Sequence, residues 1–173
     1  CFEVGQRVAA FSVFGGFAEQ VAVDAPMVFP LPANVTFEQG AALPMNYLTC
    51  HFALTTRGNL QPGETVLVHG AAGGIGTAAI QLAKALGATV YAVVSTEDKG
   101  AVARAAGADE VILADGFLPK VKDLTGGRGV DVVVDPVGGD RFTDSLRSLG
   151  ALGRLLVIGF TGGSIPEVKV NRL

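Results

Sequence analysis

The sequence predicts an α/β protein built on a doubly wound parallel sheet, and three observations predict it. The first is a β-branched run, Thr65-Val66-Leu67-Val68, that enters a glycine-rich turn, His69-Gly70-Ala71-Ala72-Gly73-Gly74-Ile75-Gly76, and then the helix-forming residues 77–86. The second is the alternation of strand-like and helix-like runs from Thr65 onward, the pattern of parallel strands joined by crossover helices. The third is the placement of Gly87, Gly107 and Gly150, each where a helix would end in a left-handed cap before the next strand.

Taken in order, residues 1–32 read as short strands and turns. The strands are 8–11, 17–23 and 28–31, interrupted by Gly15-Gly16, Pro26 and Pro30. Residues 33–60 read as helical, in two pieces, 37–43 and 47–56. Pro44 separates them, because proline inside a helix forces a kink. From Thr65 the predicted strands are 65–69, 89–94, 110–113, 130–135 and 155–159, and the predicted helices are 74–86, 97–106, 117–124 and 141–149. Crossovers between parallel strands are expected to be right-handed. No internal repeat is present: Leu86-Gly87-Ala88 and Ala106-Gly107-Ala108 recur only as helix-to-strand turns.

Composition excludes several classes. A chain of 173 residues can bury a sizeable core, as one domain or as one domain with part of another. With 49% apolar and 17% charged residues it is not a disordered chain. The net charge of −3, without a lysine or arginine run, argues against a nucleic-acid partner. Cys1 and Cys50 lie far apart, which suits a reducing compartment and no disulfide scaffold. Residues 65–83 carry no formal charge and have the length of a membrane span. Four glycines, His69 and Gln81 within them favour a strand–turn–helix instead. The first residues lack the basic start and apolar stretch of a signal peptide, so the expected location is cytoplasmic, with no membrane.

The glycine turn carries the chemistry. Glycines let backbone approach a pyrophosphate, and the N-terminus of the following helix offers it unpaired N–H groups. Aligned on its last glycine the motif is Ala71-x-Gly73-x-x-Gly76. It also fits G-x-x-x-G-x-G through Gly70, Gly74 and Gly76, a pattern that resembles the short-chain dehydrogenases. Their catalysis uses a tyrosine followed four residues later by a lysine. Tyr47 and Tyr91 are followed at that spacing by His51 and Ser95, so that reading lacks its chemistry.

Cofactor preference is read at the tip of the second strand of the sheet. A carboxylate there holds the adenine-ribose 2′-hydroxyl and selects NAD. The strand ends Val93-Val94-Ser95-Thr96 without one; Glu97 and Asp98 lie just past the tip, and Lys99 follows. Two hydroxyls and an ammonium suit a 2′-phosphate, which favours NADPH over NADH. Capping of the next helix by Ser95 or Thr96 is compatible with that role. Ligands bind beyond the carboxyl ends of the strands. Val137-Gly138-Gly139 and Phe160-Thr161-Gly162-Gly163 are therefore expected beside the nicotinamide ribose or ring, whereas Asp135 before Pro136 reads as structural.

Four motifs extend this reading: Pro44-Met45-Asn46-Tyr47-Leu48-Thr49, Leu60-Gln61-Pro62-Gly63-Glu64, Ala71-Ala72-Gly73-Gly74-Ile75-Gly76 and Asp135-Pro136-Val137-Gly138-Gly139. In this order they resemble the zinc-independent quinone oxidoreductases, the zeta-crystallin-like members of the medium-chain dehydrogenase/reductase superfamily. The resemblance covers the whole chain. It implies a GroES-like β-barrel joined to a Rossmann domain, with cofactor and substrate in the cleft. Residues 1–45 would be part of the GroES-like domain with its connecting helix. Residues 46–173 would be a Rossmann domain with five of its six strands, ending at Val170-Asn171-Arg172-Leu173 on the way to the sixth. On this expectation the chain is a piece that begins in a late barrel strand at residues 2–8. One sheet edge would then be left open, and the full-length protein would be a homodimer joined through the sixth strand.

Residue by residue, the resemblance makes Thr49 the threonine that approaches the nicotinamide. Ala72, Gly73, Gly74 and Ile75 become the pyrophosphate turn, and Ser95, Thr96 and Lys99 the 2′-phosphate segment. Gly159, Phe160 and Thr161, with Val137 and Gly138, lie by the nicotinamide. Ala114 stands where some relatives place a tyrosine near the adenine. Met45 stands where zinc-dependent relatives carry a cysteine ligand. Cys50 and His51 are helix neighbours that point about 100° apart and cannot easily share an ion, so no metal is expected. Cys50 reads as a small buried residue and His51 as packed or exposed. The implied activity is hydride transfer from NADPH to a quinone or similar conjugated carbonyl, with no catalytic side chain identified. Two alternatives stay open: reduction of an enoyl-thioester C=C bond, and an NADPH-binding protein with little turnover. The chain as given would be a cofactor-binding piece without activity of its own.

Overall fold

The computed structural model describes residues 2–169. Residues 170–173, which the sequence places before a sixth strand, lie outside the described residues, as does Cys1. The chain divides into two compact units, Cys1–Leu48 and Thr49–Leu173.

In the first unit β1 (Val8–Ala10) pairs antiparallel with β2 (Val28–Pro30), in the register Val8↔Pro30. The expected strand at 17–23 does not form. Phe17 and Val21 are exposed there, and a strand without a neighbouring ladder has neither hydrogen bonds nor a face to bury. The Arg7 guanidinium donates to the carbonyls of Pro32, Ala33 and Val35, at 3.2, 3.2 and 2.7 Å, and lies 4.6 Å over the Phe37 ring. It pins the turn that leads into α1 (Phe37–His51). A reciprocal capping box starts this helix: the Gln39 N–H donates to Thr36 Oγ1 at 3.2 Å, and the Thr36 N–H to Gln39 Oε1 at 2.9 Å.

Pro44 does not divide that helix, contrary to the sequence expectation; it sits within the continuous element Phe37–His51. A proline removes a single rung, and Asn46 Nδ2 adds a side-chain donor to the nearby Ala42 carbonyl at 3.2 Å. Beyond His51 the path widens into a π turn, Phe52–Arg57, closed by the Gly58 N–H on the Ala53 carbonyl at 2.7 Å.

The second unit holds a five-stranded sheet: β3 (Thr65–Val68), β4 (Thr89–Val94), β5 (Glu110–Leu113), β6 (Val130–Asp135) and β7 (Leu149–Val157). The order is β5-β4-β3-β6-β7, and every pairing is parallel. The order therefore reverses between β3 and β6, which makes a crevice at the carboxyl ends of these two strands. Four helices follow strands: α2 (Gly74–Ala85), α3 (Glu97–Ala105), α4 (Phe117–Leu124) and α5 (Phe142–Arg147). The central strands are apolar on both faces, as a doubly covered parallel sheet requires. Leu67, Val93, Ile112 and Val133 pack with Phe117 and Val121 of α4 on one face. Val66 and Val68, opposite Val132 and Val134 in register, alternate onto the other. No helix among the described residues is long and apolar enough to cross a membrane.

Gly87 and Gly107 take the expected left-handed conformation, with φ of 84° and 107°. Gly150 does not, because β7 begins at Leu149, earlier than the predicted 155. The first pairing is Val130↔Leu149 and the next is Val132↔Arg154, so residues 150–153 bulge out, with Leu152 exposed at φ 62°. The predicted helix 141–149 shrinks to Phe142–Arg147, after a 3-10 turn at Gly139–Arg141.

Arg154 ties this edge to the centre of the sheet. It grips both Glu64 oxygens at 2.8 and 2.7 Å and donates to the carbonyls of Gly58 at 2.8 Å and Asp131 at 3.2 Å. Arg154 also holds the Glu64 carboxyl below its usual range. Removing a partly buried fork leaves several acceptors unsatisfied, so Arg154→Ala is expected to lower stability by about 2–3 kcal/mol. Urea denaturation checks this; a loss within about half a kcal/mol would mean the pair behaves as a solvated surface bridge.

Candidate functional site

The crevice at the switch point is a cleft of about 530 Å³. The glycine turn forms its floor. Gly70 leaves the strand at φ 56°, and its carbonyl accepts the Gly73 N–H at 2.9 Å. The Ala71 N–H reaches back to the Val93 carbonyl at 3.2 Å. Gly76 packs so tightly on this turn that a Cβ there would lie inside contact distance of the Gly70 carbonyl oxygen and the Ala71 backbone. Gly73 occupies the N-cap of α2 with extended backbone, and no side chain caps the helix. The first N–H groups of α2 have no intrahelical acceptor and lie at the cleft, the arrangement that receives an anion. The floor is also tied to Cys50, whose Sγ–H donates to the Ile75 carbonyl at 3.4 Å.

The second wall is the tip of β4. Ser95 and Lys99 line the cleft, and Lys99 Nζ donates to Ser95 Oγ at 2.9 Å. Val102, one turn along α3 from Lys99, adds an apolar surface. Thr96 is the N-cap residue of α3 with extended backbone; its hydroxyl makes no capping bond, and it is not among the lining residues.

The third wall joins the loops after β6 and β7. The Thr161 N–H and hydroxyl both donate to the Pro136 carbonyl, at 3.2 and 3.1 Å, and the Gly162 N–H donates to the Val137 carbonyl at 2.8 Å. Asp135 holds the first loop in shape: its Oδ1 accepts the N–H groups of Val137 at 2.8 Å and Gly138 at 2.9 Å.

Of the predicted residues, Ala72, Gly73, Gly74, Ile75, Ser95, Lys99, Val137 and Thr161 line this one cleft. Gly138 and Phe160 are not among its lining residues but are near neighbours: a Cβ on Gly138 would meet the Phe160 ring at 3.4 Å. Gly159 lies against the Pro136 carbonyl. Thr49 is not brought to the cleft; it borders a separate hollow of about 380 Å³ with Phe52, Arg57 and residues 155–158. Ala114 is buried in the core with Phe117. Two features were not read from the sequence. Arg141 lines the cleft from the 3-10 turn. His69 lies fully buried beneath the turn, with its ring edge-on to Phe117 at 4.9 Å. Its signal was its place at the end of a buried strand, where an imidazole needs a partner.

That partner is Ser145. Its hydroxyl donates to the Arg141 carbonyl at 3.1 Å, so its oxygen accepts from His69 Nε2–H at 2.9 Å. His69 Nδ1 and Asp135 Oδ2 are buried without hydrogen-bond partners among the described residues. Burial pushes the His69 imidazole down to about 4; Asp135 opposes the shift and Arg141 adds to it.

The family described as zinc-binding dehydrogenase matches residues 74–173. The chain belongs to this family. Among its relatives, quinone oxidoreductase-like protein 2 of Bos taurus is 42% identical over 172 residues, 98% of this chain and 49% of the relative. The quinone oxidoreductase of Thermus thermophilus, whose structures include a complex with NADPH, is 38% identical. It superposes with a TM-score of 0.87 over 99% of this chain and 56% of its own. The enoyl reductase CurK is 32% identical with a TM-score of 0.77, over 84% of this chain and 43% of its own. The chain thus spans about half the length of the curated relatives it matches.

Burial pushes the Cys50 thiol up to about 11, and its proton is engaged by the Ile75 carbonyl. His51 beside it is exposed. The described residues contain no cluster of three His, Cys, Asp or Glu side chains placed to hold an ion.

Proposed function

We propose that this chain supplies the cofactor site of an NADPH-dependent, zinc-independent reductase acting on a quinone or a similar conjugated carbonyl compound. The observation that carries this reading is the pairing, in one cleft, of an uncapped helix N-terminus with the Ser95–Lys99 pair. The residues present fit the cofactor. The N–H groups at Gly74 and Ile75 would hold its diphosphate, and the missing side chains at Gly73 and Gly76 let it approach. Ser95 and Lys99 would hold the 2′-phosphate, with Thr96 beside them as a second hydroxyl. Val137 and Thr161, backed by Gly138, Gly159 and Phe160, would wall the nicotinamide side and exclude water. Bound NADPH supplies a hydride. The reduced oxygens of a quinone take protons from solvent, so no residue of this chain is assigned as an acid. The NADPH complex of the Thermus relative supports the cofactor, and the quinone oxidoreductase relatives support the acceptor.

The CurK neighbour favours a second reading, reduction of an enoyl thioester. Steady-state assays of the full-length protein with several quinones and with crotonyl thioester, each with NADPH, separate the two. Turnover of the thioester alone would overturn the quinone assignment, and NADPH binding without turnover of either would make this a binding protein. The cofactor itself is tested by fluorescence titration. Lys99→Ala is expected to weaken NADPH about tenfold and leave NADH unchanged, the value of one charge-assisted contact. Equal loss for both cofactors would reject the 2′-phosphate role.

A further inference from the structure

We propose that Arg141 is an anion ligand of the cleft and binds the phosphate on the nicotinamide side of the dinucleotide. The inference rests on the dinucleotide reading above and adds a residue that the motif does not contain.

Arg141 lines the cleft together with the glycine turn, Val137 and Thr161. Arg128, Arg147 and Arg154 are each paired with a carboxylate. Arg141 makes no ion pair and no side-chain hydrogen bond among the described residues, although it is half-buried. The nearest sequence candidate for a partner, Asp140, is exposed on the same turn without bonding it. The other acid here, Asp135, spends one oxygen on the N–H groups of Val137 and Gly138. A guanidinium with five donors and no acceptor, facing a cleft built to receive phosphates, is matched to one.

The position selects which phosphate. The sheet order reverses between β3 and β6, so the β4–β5 side takes one mononucleotide half and the β6–β7 side the other. Ser95 and Lys99 mark the β4 side as the adenosine half. Arg141 sits in the connection from β6 to α5, on the opposite half. Its backbone is held from below: the Arg141 carbonyl accepts from buried Ser145, which is fixed by buried His69 at the end of β3. The turn that carries the cation is thereby locked to the strand that feeds the glycine turn.

The test is fluorescence titration of the wild type, Arg141→Ala and Arg141→Lys with NADPH, NADH and adenosine 2′,5′-bisphosphate, with melting curves of the free proteins. The bisphosphate carries the adenosine half alone. Arg141→Ala should bind both dinucleotides about ten- to a hundredfold more weakly, by a common factor, and bind the bisphosphate as the wild type does. Arg141→Lys should fall between, because it keeps the charge and loses the fork. Dinucleotide affinity unchanged by Arg141→Ala would overturn the assignment while leaving the cofactor reading intact. So would an equal loss for the bisphosphate. A wild type that binds neither dinucleotide would overturn the cofactor reading, and this assignment with it.

Discussion

Gly76→Ala is expected to lower stability by about 3 kcal/mol and to abolish measurable dinucleotide binding. The substitution is mild on an exposed helix, where alanine is the better helix former. Here the added methyl would meet the Gly70 carbonyl and the Ala71 backbone, neither of which can rotate away as a side chain would. The first turn of α2 must move off the strand end, and with it the N–H groups that face the cleft. For a chain of this size the stability loss corresponds to roughly 10 °C in melting temperature. Thermal melting and an NADPH titration check both parts. A variant with wild-type melting and wild-type affinity would show that the close approach of helix to turn is unimportant.

Acid should unfold the protein through His69. The folded state holds this imidazole neutral, at about 4, whereas in the unfolded chain it titrates near its ordinary value of about 6.5. The unfolded state therefore takes up the proton more readily. Stability from this group is complete above pH about 6.5, declines as the pH falls through the window, and is fully lost below about 4, a total on the order of 3 kcal/mol. Burial is the main cause, and Arg141 reinforces it against Asp135. Other carboxylates also titrate in this range, so the measurement is a difference: unfolding free energy from pH 7 to 4 in wild type minus that in His69→Gln. A difference that stays flat across the window would mean that His69 is protonated without strain in the fold.

Much of the second unit was legible in the sequence, because its signals are local. The five strand positions follow from β-branched runs, and four of them have the predicted extent to within a residue. Gly87 and Gly107 mark caps that backbone sterics nearly dictate. What failed depended on distant partners. Residues 17–23 have strand-like composition but no ladder to join. Gly150 looks like a cap until β7 is seen to start early beside Val130 and then bulge. Pro44 is a helix breaker by propensity, yet the surrounding rungs override it.

The site divides in the same way. The glycine turn and Ser95–Lys99 are contiguous in sequence and could be read there. Thr49 came from resemblance alone, and the described residues place it in another hollow. Arg141 and His69 are 72 residues apart and are joined by hydrogen bonds through Ser145, so no spacing rule announces them.

The reversal of strand order at β3 has a consequence for how such a protein changes over generations. Lys99 and Arg141 hang from different crossovers, one after β4 and one after β6, with the glycine turn between them. With Lys99 in its proposed role, substitutions that exchange one cofactor for its phosphorylated counterpart can accumulate on the α3 side. The opposite side need not be rebuilt, and the diphosphate floor need not be touched. On the roles proposed for Lys99 and Arg141, preference and grip are separately heritable, and a few codons at one corner of the sheet suffice to explore new cofactors.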